Sequence, residues 1–250
     1  MPVKHRTSNV VTSFFTYIIW LVTLPPLFCI CFLLVLLPAS IRYDNRLYFA
    51  VSTLISRIMI HATTIPITVH GRQNLPLYPQ QPAIFVFNHS SALDIPLAEI
   101  ILGTYPHVWI SKQAYRNIPI FGFMLSRMHV MVDTLSRRDG YVGLVAMLSL
   151  LKNKPRHAVL FPEGKRHNDG AIHDFFPGFA VLAKKLQRPV IPVTISGMHS
   201  IFPKKSFVID SFDAAITITI GQPMYYNDQM DITDFVTHVR QYFEKNMPQA

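Results

Sequence analysis

A histidine and an aspartate five residues apart directly follow the apolar run Ala83–Phe87. The segment reads NHSSALD and places His89 and Asp94 where an imidazole and a carboxylate can meet. A carboxylate fixes the imidazole tautomer and stabilises the imidazolium, so such a pair can take the proton from an attacking hydroxyl. The same segment also has the spacing of a capping box, in which Ser91 and Asp94 begin a helix without any catalysis. The spacing alone leaves both interpretations open.

A second polar cluster follows the apolar run Ala158–Phe161 and reads PEGKR. Its proline and glycine favour a turn. Lys165 and Arg166 beside that turn can clamp a phosphate, the arginine through a bidentate fork. Glu163 can orient an arginine or accept a hydroxyl from a substrate. The alternative interpretation is a solvated turn that carries ordinary surface charges.

Two weaker clusters lie before and after the second one. The segment from Lys112 to Gly122 and the later pair Arg137 and Arg138 supply further cationic side chains near predicted strand ends. The run VIPVTISG at Val190–Gly197 is interpreted, for its apolar members, as a buried strand with an edge or terminal proline.

The sequence contains no G-x-S-x-G nucleophile elbow, which disfavours a serine hydrolase that forms an acyl-serine.

Seven short apolar runs alternate with helical patterns from about residue 66 onward, and this alternation predicts a mixed, mainly parallel α/β sheet flanked by helices. The predicted strands are Ile67–His70, Ala83–Phe87, His107–Ile110, His129–Asp133, Ala158–Phe161, Val190–Ile195 and Ala215–Ile220. The predicted helices are Leu97–Leu102, Ile120–Arg127, Tyr141–Lys152, Phe179–Leu186 and Ile232–Lys245. Chemistry in such sheets gathers at the carboxyl ends of strands, where the clusters fall.

The N-terminal part of the chain predicts a membrane segment. Ser13–Leu37 carries no charge, and about 20 apolar residues span a bilayer as a helix. Pro25 and Pro26 should break this helix near its middle. Basic residues flank the stretch on both sides, which favours a hairpin with both ends cytoplasmic over a kinked single span. A second stretch, Leu47–Val69, has the amphipathic pattern of an interfacial helix. We therefore expect a membrane-anchoring segment at residues 1–65 and a globular domain at residues 66–250.

The amino-acid composition limits the classes of binding partner that we expect. Hydrophobic residues make up 50% of the chain and charged residues 15%, and the formal net charge is +9. The basic residues are scattered, so membrane and phosphate are favoured over nucleic acid. The only cysteines, Cys29 and Cys31, predict no disulfide framework. No Cys/His cluster has zinc spacing, so no metal centre is expected.

The four clusters, in this order, resemble the motifs of the glycerol-phosphate and lysophospholipid acyltransferase family over roughly residues 67–221. NHSSALD is similar to the family's N-H-x-x-x-x-D motif, and FPEGKR is similar to its F-P-E-G-T-R motif. Lys112, Pro119 and Gly122 match the second family block less sharply, and VIPVTISG resembles the fourth.

The resemblance implies an O-acyltransferase in which His89 is the general base and Asp94 orients it. The acceptor hydroxyl attacks the thioester of acyl-CoA or an acyl carrier protein, a co-substrate, and no other cofactor is implied. Glu163, Gly164 and Arg166 are expected to bind the glycerol phosphate of 1-acylglycerol-3-phosphate, helped by Lys165, Arg137 and Lys112. Membrane lipids are the implied surroundings, with the catalytic domain on the cytoplasmic face.

Two departures from the family pattern bear on the acceptor. Position 165 is lysine where the family usually has threonine or serine. The second block usually ends in I-D-R, whereas Val132 and Asp133 are followed here by Thr134, so Arg137 or Arg138 is expected to replace the missing arginine. Another lysolipid acceptor (an aminoacyl lipid, a lysocardiolipin or a lysophosphatidylglycerol) is the main alternative. A non-catalytic lipid-binding protein would have no need for His89 and Asp94.

Overall fold

A computed structural model describes residues 3–77, 81–132, 137–167, 169–202, 207–211 and 214–247, and gives the backbone alone for residues 3–8, 137–139 and 199–200. The helices are α1 Val3–Val35, α2 Ala39–Arg42, α3 Arg46–His61, α4 Asp94–Leu102, α5 Phe121–Met128, α6 Arg137–Leu151, α7 Gly178–Leu186, α8 Met198–Ile201 and α9 Ile232–Asn246. The strands are β1 Ile67–His70, β2 Ile84–Phe87, β3 His107–Lys112, β4 Val130–Val132, β5 His157–Leu160, β6 Val190–Ser196 and β7 Ile216–Ile220. Short 3-10 turns occupy Arg72–Asn74 and Gln113–Asn117.

The strands form one seven-stranded sheet in the order β1-β7-β6-β2-β5-β3-β4. Neighbouring strands are parallel except for β6 and β7, which pair antiparallel. Strand β2 lies between β5 and β6 and is buried along its whole length. The predicted mixed, mainly parallel sheet is therefore confirmed, and each predicted strand is present with ends shifted by at most a few residues. The predicted end of β4 at Asp133 falls outside the described residues.

Helices cover both faces of the sheet, as a fully buried parallel sheet requires. Successive residues of β2 point to opposite faces. Phe85 and Phe87 join a core cluster beneath α4, whereas Ile84 and Val86 join a second cluster with α7 and α9. These two cores hold β2 and β5 rigidly, and the residues that follow both strands are positioned by them.

Helix α1 runs without interruption from Val3 to Val35, so the break and hairpin expected at Pro25 and Pro26 are wrong. The N–H groups that these prolines lack would have bonded to the carbonyls of Leu21 and Val22. Those two residues are 75% and 68% exposed, and they lie on the side of α1 turned away from the rest of the chain. The opposite side of α1 packs along α3, and this contact keeps the helix continuous past the missing hydrogen bonds.

The buried side of α1 is polar over its first half. Asn9, Ser13 and Thr16 are all less than 5% exposed. The Asn9 side chain donates to Asp210 at 2.7 Å, and the Thr16 hydroxyl donates to the Ala62 carbonyl at 2.7 Å. Its outer side is apolar, and only 17% of its most apolar stretch is buried. Over this first half, polar residues face inward and apolar ones outward, which is opposite to the pattern of a helix packed in the core of a soluble protein. It indicates association with a membrane.

Candidate active site

The two polar clusters with the clearest motifs meet at one edge of the sheet. Strands β2 and β5 are parallel neighbours, so their carboxyl ends lie side by side. Asn88–Asp94 follows β2, and Phe161–Arg166 follows β5. Residues 74 positions apart in the chain come into direct contact as a result, because the His89 backbone N–H donates to Glu163 Oε1 at 2.8 Å.

His89 and Asp94 form a hydrogen-bonded pair. Nδ1 of His89 lies 3.0 Å from Oδ2 of Asp94, and the two side chains are 14% and 0% exposed. Oδ2 also accepts the backbone N–H groups of Ser90 and Ser91, each at 2.7 Å. Three donors on one oxygen stabilise the carboxylate charge. The network assigns the imidazole proton to Nδ1, which leaves the Nε2 lone pair free to accept a proton.

The helix-starting interpretation of the same segment also holds in part. Asp94 opens α4, and its carboxylate reaches back to the Ser91 N–H as in a capping box. The Ser91 hydroxyl accepts the Leu93 N–H at 3.3 Å. The local turn and the His89 contact therefore use the same carboxylate, and the two interpretations do not exclude each other.

The His89 ring rests on a stack of aromatic rings. Its centroid lies 4.2 Å from that of Phe161 at 20° between planes, and Phe161 stacks in turn on Trp109 at 5.7 Å. The Trp109 indole N–H donates to Oε1 of Glu99 at 3.1 Å, and Nε2 of His107 lies 2.9 Å from the same oxygen. The stack restricts rotation of the imidazole, and a buried polar network anchors the far end of the stack.

Glu163 supports the backbone around His89. Oε1 accepts the His89 N–H, and Oε2 accepts the His173 N–H at 3.4 Å. Burial raises the pKa of the Glu163 carboxyl above its ordinary value, while the two backbone donors act in the opposite direction. The sequence offered two interpretations for this residue, orienting an arginine or binding the acceptor. In the structure its oxygens accept hydrogen bonds from backbone N–H groups of the site itself.

The turn after Glu163 requires glycine. Gly164 has φ +69°, and a Cβ atom there would lie 2.9 Å from the Phe176 ring. The turn leaves Lys165 exposed and Arg166 half-buried. Within the described part of the chain, the Arg166 guanidinium has no hydrogen-bond or ion-pair partner. It is therefore available to bind an anion at the same sheet edge as His89.

The cationic residues of the second family block lie less close to the end of β2, where His89 is found. Lys112 ends β3, which is separated from β2 by β5, so about 10 Å lies between the two strands. Arg137 begins α6, but its side chain lies outside the described residues, as do that of Arg138 and the whole of Asp133 and Thr134. Gly122 allows α5 to approach the preceding turn, because a Cβ atom there would overlap the Tyr115 and Arg116 carbonyls.

Sequence reasoning missed the role of Asn88. Its side-chain amide donates to the Ile195 carbonyl at 2.9 Å and accepts the Ile195 N–H at 2.7 Å. This pair of bonds joins the carboxyl end of β2 to β6 beyond the regular ladder. The asparagine before His89 was visible in the motif, but its partner lies 107 residues away and no local signal points to it.

A histidine-rich cluster beside the site was also missed. His167, Asp169 and His173 place their candidate ligand atoms within 4.8 Å of one another. The corresponding pattern in the sequence is H-x-D-x-x-x-H, which contains no cysteine and does not have zinc-finger spacing. The His167 N–H donates to the His89 carbonyl at 2.9 Å, so this cluster adjoins the His89–Asp94 pair.

Two cavities differ in size and place. A narrow one borders His89, Glu163, Gly197 and Met247. A larger one of about 800 Å³ lies between α5, α6 and β4, and its lining includes Arg116, Arg127 and Ile120. The larger cavity does not include His89 in its lining. The hydrogen-bonded pair of His89 and Asp94 lies at the smaller one.

Comparison with known proteins gives a family match. Residues 66–196 match the family model described as Acyltransferase. A 1-acyl-sn-glycerol-3-phosphate acyltransferase of Chlamydomonas reinhardtii is 32% identical over 175 residues, which are 68% of this chain and 51% of that protein. A chloroplastic 1-acyl-sn-glycerol-3-phosphate acyltransferase of Brassica napus is 30% identical over 186 residues, 74% of this chain and 52% of that protein. The chain thus spans about half the length of these curated relatives.

Among solved structures, the 1-acyl-sn-glycerophosphate acyltransferase PlsC from Thermotoga maritima has a similar fold. The TM-score is 0.76 at 21% sequence identity, and the match covers 96% of both chains. At this identity the likeness concerns the fold, and it extends over the N-terminal helices as well as the sheet.

Proposed function

Since the chain belongs to the acyltransferase family, we propose that it transfers a fatty acyl group from a thioester donor to the free hydroxyl of 1-acylglycerol-3-phosphate. The hydrogen bond of 3.0 Å between His89 Nδ1 and Asp94 Oδ2 carries this proposal. It provides a general base with a fixed tautomer at the carboxyl end of a central strand. The relatives' names support the acceptor class, and the Arg166 guanidinium, which has no partner among the described residues, is compatible with a phosphate.

In the proposed mechanism His89 Nε2 takes the proton of the acceptor hydroxyl as its oxygen attacks the thioester carbonyl. Asp94 stabilises the imidazolium that forms, and its carboxylate is held in place by hydrogen bonds from the Ser90 and Ser91 N–H groups. The tetrahedral intermediate collapses, the C–S bond breaks, and His89 returns the proton to the leaving thiolate. The products are the diacylated lipid and a free thiol, and no acyl-enzyme forms.

Glu163 acts in this mechanism as a positioning residue. Its carboxylate fixes the backbone N–H of His89, and the Phe161 ring lies flat against the imidazole. A general base misplaced by about 1 Å can lose about 100-fold in rate, so both contacts bear on turnover. Arg166, with Lys165 beside it, binds the acceptor phosphate. Lys112 and Arg137 supply additional positive charge at the same edge.

We place the molecule on the membrane surface with α1 lying along the interface. Contacts between α1 and the rest of the chain extend from Asn9 to Val35, whose carbonyl accepts the Arg127 Nε–H at 3.1 Å. At 1.5 Å per residue this is about 39 Å of helix held against the globular part. A perpendicular span would carry much of that part into the hydrocarbon. In this arrangement residues 1–65 are the proposed anchor, and the cytoplasmic face is proposed for residues 66–250 because basic residues flank Ser13–Leu37 on both sides.

The acceptor is tested by incubating purified protein with radiolabelled acyl-CoA, or acyl carrier protein charged with the same chain, and a panel of lysolipids. We expect acylated 1-acylglycerol-3-phosphate with wild type and product formed at least about 100-fold more slowly with His89→Ala. Preferential acylation of a lyso-aminoacyl lipid, lysocardiolipin or lysophosphatidylglycerol would replace the proposed acceptor. Lys165 would explain such a result, because lysine at this position departs from the family motif. No product with any acceptor and either donor would contradict acyl transfer itself.

A further inference from the structure

We propose that His167, Asp169 and His173 bind a divalent transition-metal ion, with Zn²⁺ the best match to their chemistry. The three residues lie on the loop after β5, next to the catalytic pair but not part of it. Their candidate ligand atoms are all within 4.8 Å of one another. The site is distinct from the acyl-transfer chemistry, which requires no metal in the mechanism given above.

The donor set selects the class of ion. Two imidazole nitrogens and one carboxylate oxygen suit Zn²⁺ and its first-row neighbours, whereas Mg²⁺ and Ca²⁺ prefer sites made of oxygen. Three protein ligands leave a fourth tetrahedral position for water. Both histidines are only partly exposed and Asp169 is exposed, so an ion can enter from solvent.

The side chains need only small movements to surround an ion. Nε2 of His173 lies 2.8 Å from Oδ2 of Asp169, and the His167 and His173 rings stack with centroids 3.4 Å apart at 16°. Zinc–nitrogen bonds of about 2.0–2.1 Å place neighbouring tetrahedral ligands roughly 3.3 Å apart. Parallel rings direct their lone pairs side by side, so one ring must tilt for both to meet a single ion. The exposed side of the cluster leaves space for that tilt.

A second observation points to a ligand at this place. Nε2 of His167 is shielded from solvent and has no hydrogen-bond partner among the residues described. Buried nitrogens in proteins are nearly always paired. The contact of Asp169 with His173 can be explained as a surface ion pair, but that explanation gives no partner to His167. A metal ion would satisfy His167 and use the same carboxylate.

Such an ion would connect the loop to the catalytic histidine. The backbone N–H of His167 donates to the His89 carbonyl, and the N–H of His173 donates to Glu163, which holds the His89 N–H. Coordination by both histidines would therefore fasten the two chain segments that hold the His89 backbone. The consequence is a more stable loop, measured as a higher midpoint of thermal unfolding in the presence of Zn²⁺.

The test is Zn²⁺ binding to tag-free, detergent-solubilised protein, by equilibrium dialysis and calorimetry. We expect one ion per chain, and affinity weaker by about 10-fold or more in Asp169→Asn and His173→Gln. His238→Gln, which changes an exposed histidine on α9, is the matched control and should bind as wild type does. Unfolding scans without metal verify that each variant is folded.

His89→Ala separates this site from the catalytic pair. It should bind Zn²⁺ as tightly as wild type, since it keeps all three proposed ligands. Loss of binding in His89→Ala with retention in His173→Gln would place the ion on His89 and Asp94 and overturn the proposal. So would saturation with no bound Zn²⁺ in wild type, or equal losses in His238→Gln and His173→Gln. Because the measurement is binding, the result is independent of whether acyl transfer to a lysolipid is found.

Discussion

At the residue scale, the arrangement of donors around Asp94 makes one substitution especially informative. Oδ2 accepts from His89, Ser90 and Ser91, so Asp94→Asn keeps the side-chain shape and one acceptor oxygen but replaces the carboxylate with a neutral amide. The change removes the charge that stabilises the imidazolium and disturbs the tautomer. We expect Asp94→Asn and His89→Ala each to lower kcat by about 100- to 10,000-fold. Turnover by the purified variants at saturating substrate measures this.

The control for that experiment is Asp228→Asn, which alters an exposed aspartate and should leave kcat unchanged. Circular dichroism spectra and unfolding midpoints compare the folds of the variants. A near-normal rate in a well-folded His89→Ala or Asp94→Asn protein would contradict the general-base assignment.

Arg166 belongs to the same scale but acts on binding. A guanidinium grips a phosphate with two charge-assisted hydrogen bonds, and lysine cannot reproduce that fork. We expect Arg166→Ala to raise the KM of the acceptor far more than that of the donor, and to lower kcat through poor placement of the hydroxyl. Arg166→Lys should have an intermediate effect, and Lys165→Ala and Arg137→Ala smaller ones. Steady-state kinetics with both substrates varied test this. A rise in the donor's KM alone would assign Arg166 to the thioester instead.

The residues of the site were predictable where a local motif carried them. His89 with Asp94, and the turn from Glu163 to Arg166, could be found because each motif is short and follows an apolar strand. The contact of Glu163 with the His89 backbone could not be found, because it depends on β5 lying beside β2. Neighbours in the sheet are set by crossovers and core packing, and a single sequence does not reveal them.

At the element scale, strand type was easier to predict than helix continuity. Short apolar runs rich in valine and isoleucine identified all seven strands. A parallel strand that is buried on both faces requires an almost continuous apolar sequence. The two prolines in α1 show that the continuity of a helix is harder to predict from local sequence. Local chemistry disfavours them in a helix, but contacts along α3 outweigh that cost on one side of α1. The antiparallel pairing of β6 with β7 likewise had no local signal.

The pairing of β2 with β5 includes a titratable side chain. The Ala83 N–H, just before β2, donates to Nδ1 of His157 at the start of β5, at 2.9 Å. Burial, with the positive charges of His107 and Arg188, lowers the pKa of His157 to about 3 from an ordinary 6.5. The unfolded chain therefore binds a proton at this residue below about pH 6.5, and the folded chain does so only near pH 3. Stability should be unaffected above that range and should fall as pH drops through it.

We expect His157→Asn, which keeps an acceptor but cannot titrate, to reduce the slope of unfolding free energy against pH between about 6 and 4. One proton corresponds to about 1.4 kcal/mol per pH unit. Buried His129, whose pKa is also lowered to about 3, leaves part of the slope in place. The comparison is with His238→Asn, an exposed histidine whose removal should leave the slope as it is. Equal slopes in His157→Asn and wild type would contradict the linkage.

At the scale of the whole molecule, the apolar composition is explained by where the exposed apolar residues lie. Much of the exposed apolar surface belongs to the outer side of α1, including Phe14, Phe15, Leu21, Val22 and Leu33. The formal net charge of +9 adds attraction to anionic lipid. Hydrophobic burial and charge therefore act together, but only the electrostatic attraction is screened by salt. The two contributions can be separated by washing.

The last prediction concerns how the molecule is attached and on which side. Because burial of Phe14–Leu37 is hydrophobic, the protein should stay with membranes through high-salt and alkaline carbonate washes. Protease added outside intact cells should cleave neither the N-terminus nor the sheet, since an in-plane α1 leaves both on the same side of the membrane and the proposed side is the cytoplasmic one. Cells opened before digestion provide the control, because cleavage there proves that the sites are accessible. Release by salt or carbonate alone would contradict hydrophobic attachment. External cleavage near Lys4 with an intact domain would mean that α1 crosses the bilayer, and the contacts of Asn9 with Asp210 and of Ser13 with Ile209 would then have to open.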